Sequence, residues 1–514
     1  MRPTDALILW FLLASGAAAQ APEQEPLSAI DWLDNPVPVT VVTPPVAPLG
    51  QPAMPEGVET PNVAVMPLGN ARTDSAGLLP SDVSGLPVTL WQASTERALI
   101  AQFQRLSPDP LPAIQALYYT LLLAEAEPPA DSGPDARFLK ARIDTLEAFG
   151  AIDPALALLD RAGPATPFLF DRWLNLSLLA GTETKACEAL ADRPGLSERY
   201  SARIFCLARA GDWQTAALLY ETAVSLDLLT QTEADLLAQF LDPEMVENAV
   251  ALAPPSTITP LLFRLYEAVG TPLPTQGLTR PYASADLRDS AGWRARIEAA
   301  ERLADTGALP PNRLLGLYTE RSPAASGGVW DRVAAIQEFD RAMTRARPQE
   351  IAETLPHAWR AMRTRGLAPV FAELYGEDLS ATDLPGDARA LALRIGLLSP
   401  GYEKAADIAR TDDDTEAFLA GLARGAPPPG RANRPLMTAI AKAFAAEGAS
   451  RDHDGLLQGG KLGQAILSAA LQLDRANLRD FEAITSGLST LRAVGLEETA
   501  RRAALELLIL DAGA

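Results

Sequence analysis

The sequence is poor in the residues that carry most catalytic chemistry. His357 and His453 are its only histidines, too few for a His-based metal site. Cys187 and Cys206 are its only cysteines, and a C-x-x-C redox pair is absent. No G-x-S-x-G elbow occurs, which removes the commonest serine-hydrolase signal. Aromatic residues make up 6% of the chain and β-branched runs are scarce, so almost no sheet is expected. Beyond the first twenty residues no apolar run is long enough to cross a bilayer. Positive charge is in the minority: 44 Lys and Arg stand against 65 Asp and Glu, a formal net charge of −21. Such a surface repels phosphate backbones and anionic headgroups, which argues against nucleic-acid binding and electrostatic membrane docking.

What is present favours helix. Ala, Leu, Arg and Glu dominate, and with 48% hydrophobic residues in 514 the chain can bury a large core. The expected fold is all-α: an α-solenoid of stacked helix-turn-helix pairs, preceded by a disordered Pro-rich segment. Residues 1–19 read as a signal peptide, with Arg2 as a thin positive region, Ala6 to Leu13 as the apolar region and Ala17-Ala18-Ala19 as the cleavage site before Gln20. The expected location is therefore periplasmic or secreted, without an integral membrane segment once the signal is removed.

Residues 20–90 are dense in Pro, Val, Gly and Thr and read as an extended tether, because proline fixes φ and removes donors. Within it, residues 27–33 form an apolar island. Leu27, Ile30, Trp32 and Leu33 make it a candidate docking motif, in cis on the body or in trans on a partner. Helical blocks are expected over 91–270, 291–425 and 436–514, separated by Pro- and Gly-rich loops at 271–290 and 426–435. The body is expected to open at Trp91. Leu111, Ile114, Leu117, Tyr118, Leu121 and Leu122 trace one face of a helix opened by Pro110 and Pro112.

Cys187 and Cys206 flank Arg193-Pro194-Gly195, and their midpoint falls beside the turn of an expected helical hairpin. In an oxidising compartment such a pair is expected to form a disulfide. Closing a loop of about 20 residues adds roughly 3 kcal/mol on the chain-entropy account.

Gly150, Gly181 and Gly211 each precede an alanine five positions on (Ala155, Ala186, Ala216), and the pattern returns at Gly401 with Ala406 and at Gly495 with Ala500. A small residue one turn into a helix lets the preceding helix pack closely. Within this pattern Ala208-Arg209-Ala210-Gly211-Asp212-Trp213-Gln214-Thr215-Ala216-Ala217-Leu218-Leu219-Tyr220 resembles the turn and second helix of degenerate tetratricopeptide-like repeats. The segments Ile30-Asp31-Trp32-Leu33, Ile204-Phe205-Cys206 and Leu491-Arg492-Ala493-Val494-Gly495-Leu496-Glu497 are similar to a group of exported alphaproteobacterial proteins. Some of these carry an antifreeze-glycopeptide label, yet the Ala-Ala-Thr tandem repeats of antifreeze glycopeptides are missing here.

Several stretches imitate chemical motifs. Gly455-Leu456-Leu457-Gln458-Gly459-Gly460-Lys461 matches part of a phosphate loop, but Leu462 stands where Ser or Thr should reach magnesium and no strand precedes it, so a plain loop is expected. His453 between Asp452 and Asp454 reads as a solvated turn, since the other ligands of a calcium loop are missing. His357 reads as a surface or edge residue. Asp412-Asp413-Asp414 reads as helix capping. If a groove exists, Trp173, Trp213, Tyr220, Trp293, Trp330 and Trp359 are the aromatics to watch, most of them expected in the core. No catalytic residue, cofactor or metal ligand is assigned. The expected role is non-enzymatic protein interaction in the cell envelope; an envelope enzyme acting on peptidoglycan and an assembly chaperone are the competing classes.

Overall fold

Turn chemistry recurs along the chain and sets where its helices stop. Gly150, Gly181, Gly211 and Gly495 all adopt positive φ, between 77° and 89°. At each, the next residue's N–H returns to the carbonyl five positions back, as Asp212 does to Leu207, which closes the helix end. The alanines that follow these glycines, at 155, 186, 216 and 500, are fully buried. At Gly401 the match is partial, because its φ is negative, although Ala406 is buried.

The computed structural model describes residues 73–242, 252–323, 325–475 and 479–510. Among them the chain forms 25 α-helices, several 3-10 turns and no strand. The first group is α1 (Ser81–Ser84), α2 (Glu96–Phe103), α3 (Pro112–Leu123), α4 (Arg137–Ala148) and α5 (Ile152–Ala162). A second runs through α6 (Phe170–Ala180), α7 (Thr184–Asp192), α8 (Tyr200–Arg209), α9 (Trp213–Ser225), α10 (Gln231–Leu241) and α11 (Pro260–Ala268). A third holds α12 (Ala283–Asp286), α13 (Trp293–Ala304), α14 (Pro311–Thr319), α15 (Val329–Thr344), α16 (Pro348–Arg363), α17 (Ala368–Ala381), α18 (Gly386–Gly396), α19 (Tyr402–Ala405) and α20 (Asp414–Ala423). The last comprises α21 (Pro435–Ala445), α22 (Arg451–Gln458), α23 (Leu462–Arg475), α24 (Phe481–Ala493) and α25 (Glu497–Ile509). Consecutive helices pack on one another, as the all-α expectation of stacked pairs requires. On α3, Ile114, Leu117, Tyr118, Leu121 and Leu122 are buried as the spacing predicts.

The signal segment and the 27–33 island lie outside the described residues. The Pro-rich segment is shorter than the expected 20–90, because residues 73–90 belong to the folded body. Leu78 and Leu79 both donate to Leu123 O, and Glu125 returns a hydrogen bond to Leu79. Arg142 explains the anchoring. Its buried guanidinium on α4 donates to Leu122 O (2.8 Å), Ala124 O (2.9 Å) and Ala76 O (2.7 Å), tying this strap to the end of α3. Burial lowers the pKa of that guanidinium to about 10, with Asp74 opposing the shift. Gly77 lies so close that a Cβ there would collide with the Glu125 backbone. Residues 271–290 are likewise more than a loop. They hold two 3-10 turns and α12, Tyr282, Ala283 and Ala285 are buried, and Arg302 donates to Thr275 O and Leu278 O at 2.9 Å. Within 426–435, Pro429–Arg431 make a 3-10 turn.

Two hydrophobic cores result. A satellite core gathers α6 to α11, from Phe170 to Val269. The main core joins the residues before α6 to those after α11, takes in Leu176 and Leu179 of α6 and Phe263 of α11, and contains both ends of the described body. Here the packing goes beyond neighbour on neighbour, since α25 lies on α3 and α23 on α2 and α3. Gly463 N donates to Leu90 O, and a Cβ on Gly463 would run into the Trp91 ring. Both carboxylate oxygens of buried Glu506 accept the Ala113 N–H, at 3.1 and 2.9 Å, satisfying a donor at the start of α3.

Candidate docking surface

The candidate surface is built on the satellite core. Cys187 on α7 and Cys206 on α8 form a disulfide, on either side of a turn at Pro194–Leu196. Below that turn Ser197 O accepts from Arg203 Nε at 2.9 Å, and Ser197 Oγ donates to Asp171 at 2.8 Å. At the other end, buried Glu183 meets Arg209 at 3.2 Å and Arg264 at 3.4 Å, joining α8 and α11 to the start of α7. The result is a braced helix pair against which α9 packs.

Helix α9 packs on α8 and α10 along one side and leaves the other uncovered. Asp212 caps it by accepting from Thr215 N at 3.2 Å, and Tyr220 Oη donates to Ala234 O on α10 at 3.2 Å. Only Ala216 and Ala223, seven residues apart and so on one face, are buried. Trp213, Ala217 and Val224 form an exposed stripe at spacings of four and seven. Trp213 is 47% exposed although its ring sits 5.9 Å from that of Phe240. Leu218 stands farther round at 70%, and past the helix end Leu226 at 62% and Leu228 continue the apolar surface. Of the seven large apolar residues exposed among the described residues, five lie between 213 and 228, so the exposure is concentrated rather than scattered.

The remaining aromatics behave as core or core rim. The rings of Trp293 and Trp330 lie 4.8 Å apart at a tilt of 40°, and Trp293 donates its Nε1–H to Leu317 O. Trp173 packs edge-on against Phe170, and Trp359 against Phe371. His357 is exposed on α16 as expected. Asp413 accepts from Thr415 N and Glu416 N, so the acidic run caps α20.

His453 corrects the sequence expectation. It is buried inside α22, not in a solvated turn, with Nδ1 3.0 Å from Thr490 Oγ1 on α24. Burial lowers its pKa, and Asp452 and Asp454 oppose that. The same helix overturns the plain-loop expectation for 455–461, whose first four residues close α22. Beside it Ser486 donates to Asp452 at 2.7 Å. The histidine bonds a different residue, so Asp, His and Ser do not form a relay; the cluster holds α22 to α24.

One cleft of about 720 Å³ is walled by the turns of α3, α14 and α17 together with Arg502 and Leu510. Six prolines line it, and its charges are mixed: Asp109, Asp305 and Glu373 against Arg363 and Arg502. Asp109 is paired with Arg280 at 2.8 Å, and Asp305 is raised in pKa by burial and by Asp109. No nucleophile–base pair is assembled among these residues, so the cleft is a weaker candidate than α9.

Compared with protein-family models, with curated proteins and with solved structures, the chain matches none. Among the described residues no helix is long and apolar enough to cross a membrane.

Proposed function

We propose that this protein is a non-enzymatic interaction scaffold or adaptor of the bacterial cell envelope, acting in the periplasm after residues 1–19 are removed. The concentration of exposed apolar side chains on α9 and its following turn is the observation that supports this reading, because such exposure has a solvation cost that a partner would relieve. The Cys187–Cys206 disulfide suits an oxidising compartment. On the same reading, residues 208–220 are a degenerate tetratricopeptide-like unit whose outer face is left for a partner rather than covered by another repeat.

The test is crosslinking in the periplasm with tagged mature protein, beside Val224→Asp and a variant lacking residues 20–72. A partner lost in Val224→Asp and kept in the truncation supports docking on α9. A partner lost only on truncation moves recognition to Leu27, Ile30, Trp32 and Leu33, with Trp32→Ala as the confirming variant. Turnover of an envelope substrate by the purified protein, with no specific partner, overturns the scaffold reading.

A further inference from the structure

Along the sequence α9 lies in a stretch with charge of one sign only, and the arginines of the helix beneath it are engaged elsewhere: Arg209 with Glu183 at 3.2 Å and Arg203 with Ser197 O at 2.9 Å. From Ala210 through Phe263 the sequence contains no Lys, Arg or His, while eight Asp and Glu occur. On α9 and its flanks Asp212, Glu221 and Asp227 are all exposed, and Glu221 falls one turn from Ala217 and Val224 on the same side of the helix. On α10 the nearest acids, Glu233 and Asp235, are engaged with the uncharged Thr230 and Gln231. The apolar stripe is therefore bordered by Asp212, Glu221 and Asp227, and Arg199 acts on Glu233 of α10 rather than on these three.

We infer that the occupant of this surface is an amphipathic helix of another protein, apolar on one face and flanked by Lys or Arg. This rests on the reading of α9 as a docking surface and names the chemistry of the partner. Three features carry it. Apolar residues at spacings of four and seven present a ridge of the kind that a second helix accepts in its groove. The acidic border attracts basic flanks and repels acidic ones, which selects among otherwise similar apolar helices. It also disfavours an anionic lipid surface and face-to-face pairing with a second copy of α9, where like charges would meet. The braced α7–α8 pair beneath keeps α9 in place, so little ordering accompanies binding.

The experiment is a titration of the mature protein against fluorescent synthetic peptides of about 18 residues, long enough to hold helix on a surface. One peptide carries leucines at helical spacing with Lys flanks; a second has the same apolar face with Glu flanks; anionic and zwitterionic phospholipid vesicles form separate arms. The expected result is that the Lys-flanked peptide binds about tenfold or more tightly than the Glu-flanked one, and that added salt narrows the gap. Asp212→Asn/Glu221→Gln/Asp227→Asn should remove most of this preference, and Val224→Asp should abolish binding while circular dichroism stays unchanged. Equal binding of both peptides, no binding of either, or stronger attachment to vesicles overturns the inference. If crosslinked capture is still lost in Val224→Asp while the sign of the flanks makes no difference, the docking surface stands and only the partner's charge is wrong. If Val224→Asp changes neither capture nor peptide binding, the docking surface itself fails.

Discussion

In the main core, helices from the two ends of the described body cover one another: α25 lies on α3, α23 lies on α2, and their apolar faces are closed off from water. In the satellite core, α9 reaches its neighbours through buried Ala216 and Ala223 with half-buried Leu219 and Tyr220, and together with the turn after it leaves a tryptophan, a valine and three leucines partly or largely in solvent. Both regions use the same glycine-stopped turns and Ala contacts, so the difference does not lie in local chemistry. It lies in what comes next along and across the array. Main-core helices have a further helix to meet; α9 has an uncovered side. Apolar burial is therefore committed to stability in one region and kept available in the other.

The contrast breaks most severely at Arg142. Replacing it with Met strands the carbonyls of Leu122, Ala124 and Ala76 without their donor. A loss of about 3–5 kcal/mol is expected, since each buried carbonyl left without a donor costs about 1–3 kcal/mol, read as a lowered denaturant midpoint. A loss under about 1 kcal/mol would show that the strap over 73–90 does not depend on that guanidinium.

Glu506 gives the main core a pH signature opposite in sign to that of Glu233 in the satellite region, whose pKa, against the effect of burial, is lowered by its hydrogen bonds. Burial pushes the Glu506 carboxyl up to about 8, against the lowering effects of the Ala113 N–H and Arg502. The unfolded chain releases this proton near pH 4.5 whereas the folded protein holds it to about 8, so the folded state binds more protons across that window. Stability should therefore fall as pH rises from about 5 to 8, by a few kcal/mol at most. Glu506→Gln keeps an acceptor for Ala113 and should flatten the decline. An unchanged slope in that variant would place the pH dependence elsewhere.

The smallest effect is expected where exposure is greatest. Leu218→Asp should change stability by no more than about 0.5 kcal/mol, because 70% of that side chain is already in water. Leu237→Asp, at a fully buried position of the same core, is the matched comparison and should unfold the satellite region. Similar thermal midpoints for the two would erase the distinction between covered and uncovered faces.

Features that depend on neighbours in sequence were legible: the helical period of α3, the glycine-stopped turns with their alanines, the cap at Asp413 and the Cys187–Cys206 pairing. Features that depend on distant residues were not. Arg142 lies on the buried side of its helix beside Phe138 and Leu146, and only the carbonyls at the end of α3 and in a strap 66 residues away explain why a guanidinium belongs there. His453 looked solvated because its flanking aspartates are polar, and Thr490 on another helix supplies the reason for its burial. Prolines made 73–90 look unattached, although hydrogen bonds to Leu123 fix it. The exposed side of α9 was only partly legible: Trp213 was one of six aromatics to watch, but nothing local separated it from the Trp residues that pack into the core, because which side of a helix is covered depends on distant elements.

The junction of α3 with α25 has a consequence for how the chain is made. Ala113 and the carboxylate that caps it are 393 positions apart, so the start of α3 is translated long before its partner exists. Until then α4 packs on α2 and α3, but the sides of those two helices that meet α23 and α25 stay uncovered, and the main core cannot close from its beginning onward. Maturation of this region waits for α25, and a chain stalled or trimmed before α25 forfeits the packing of α3 along with that of α25 itself.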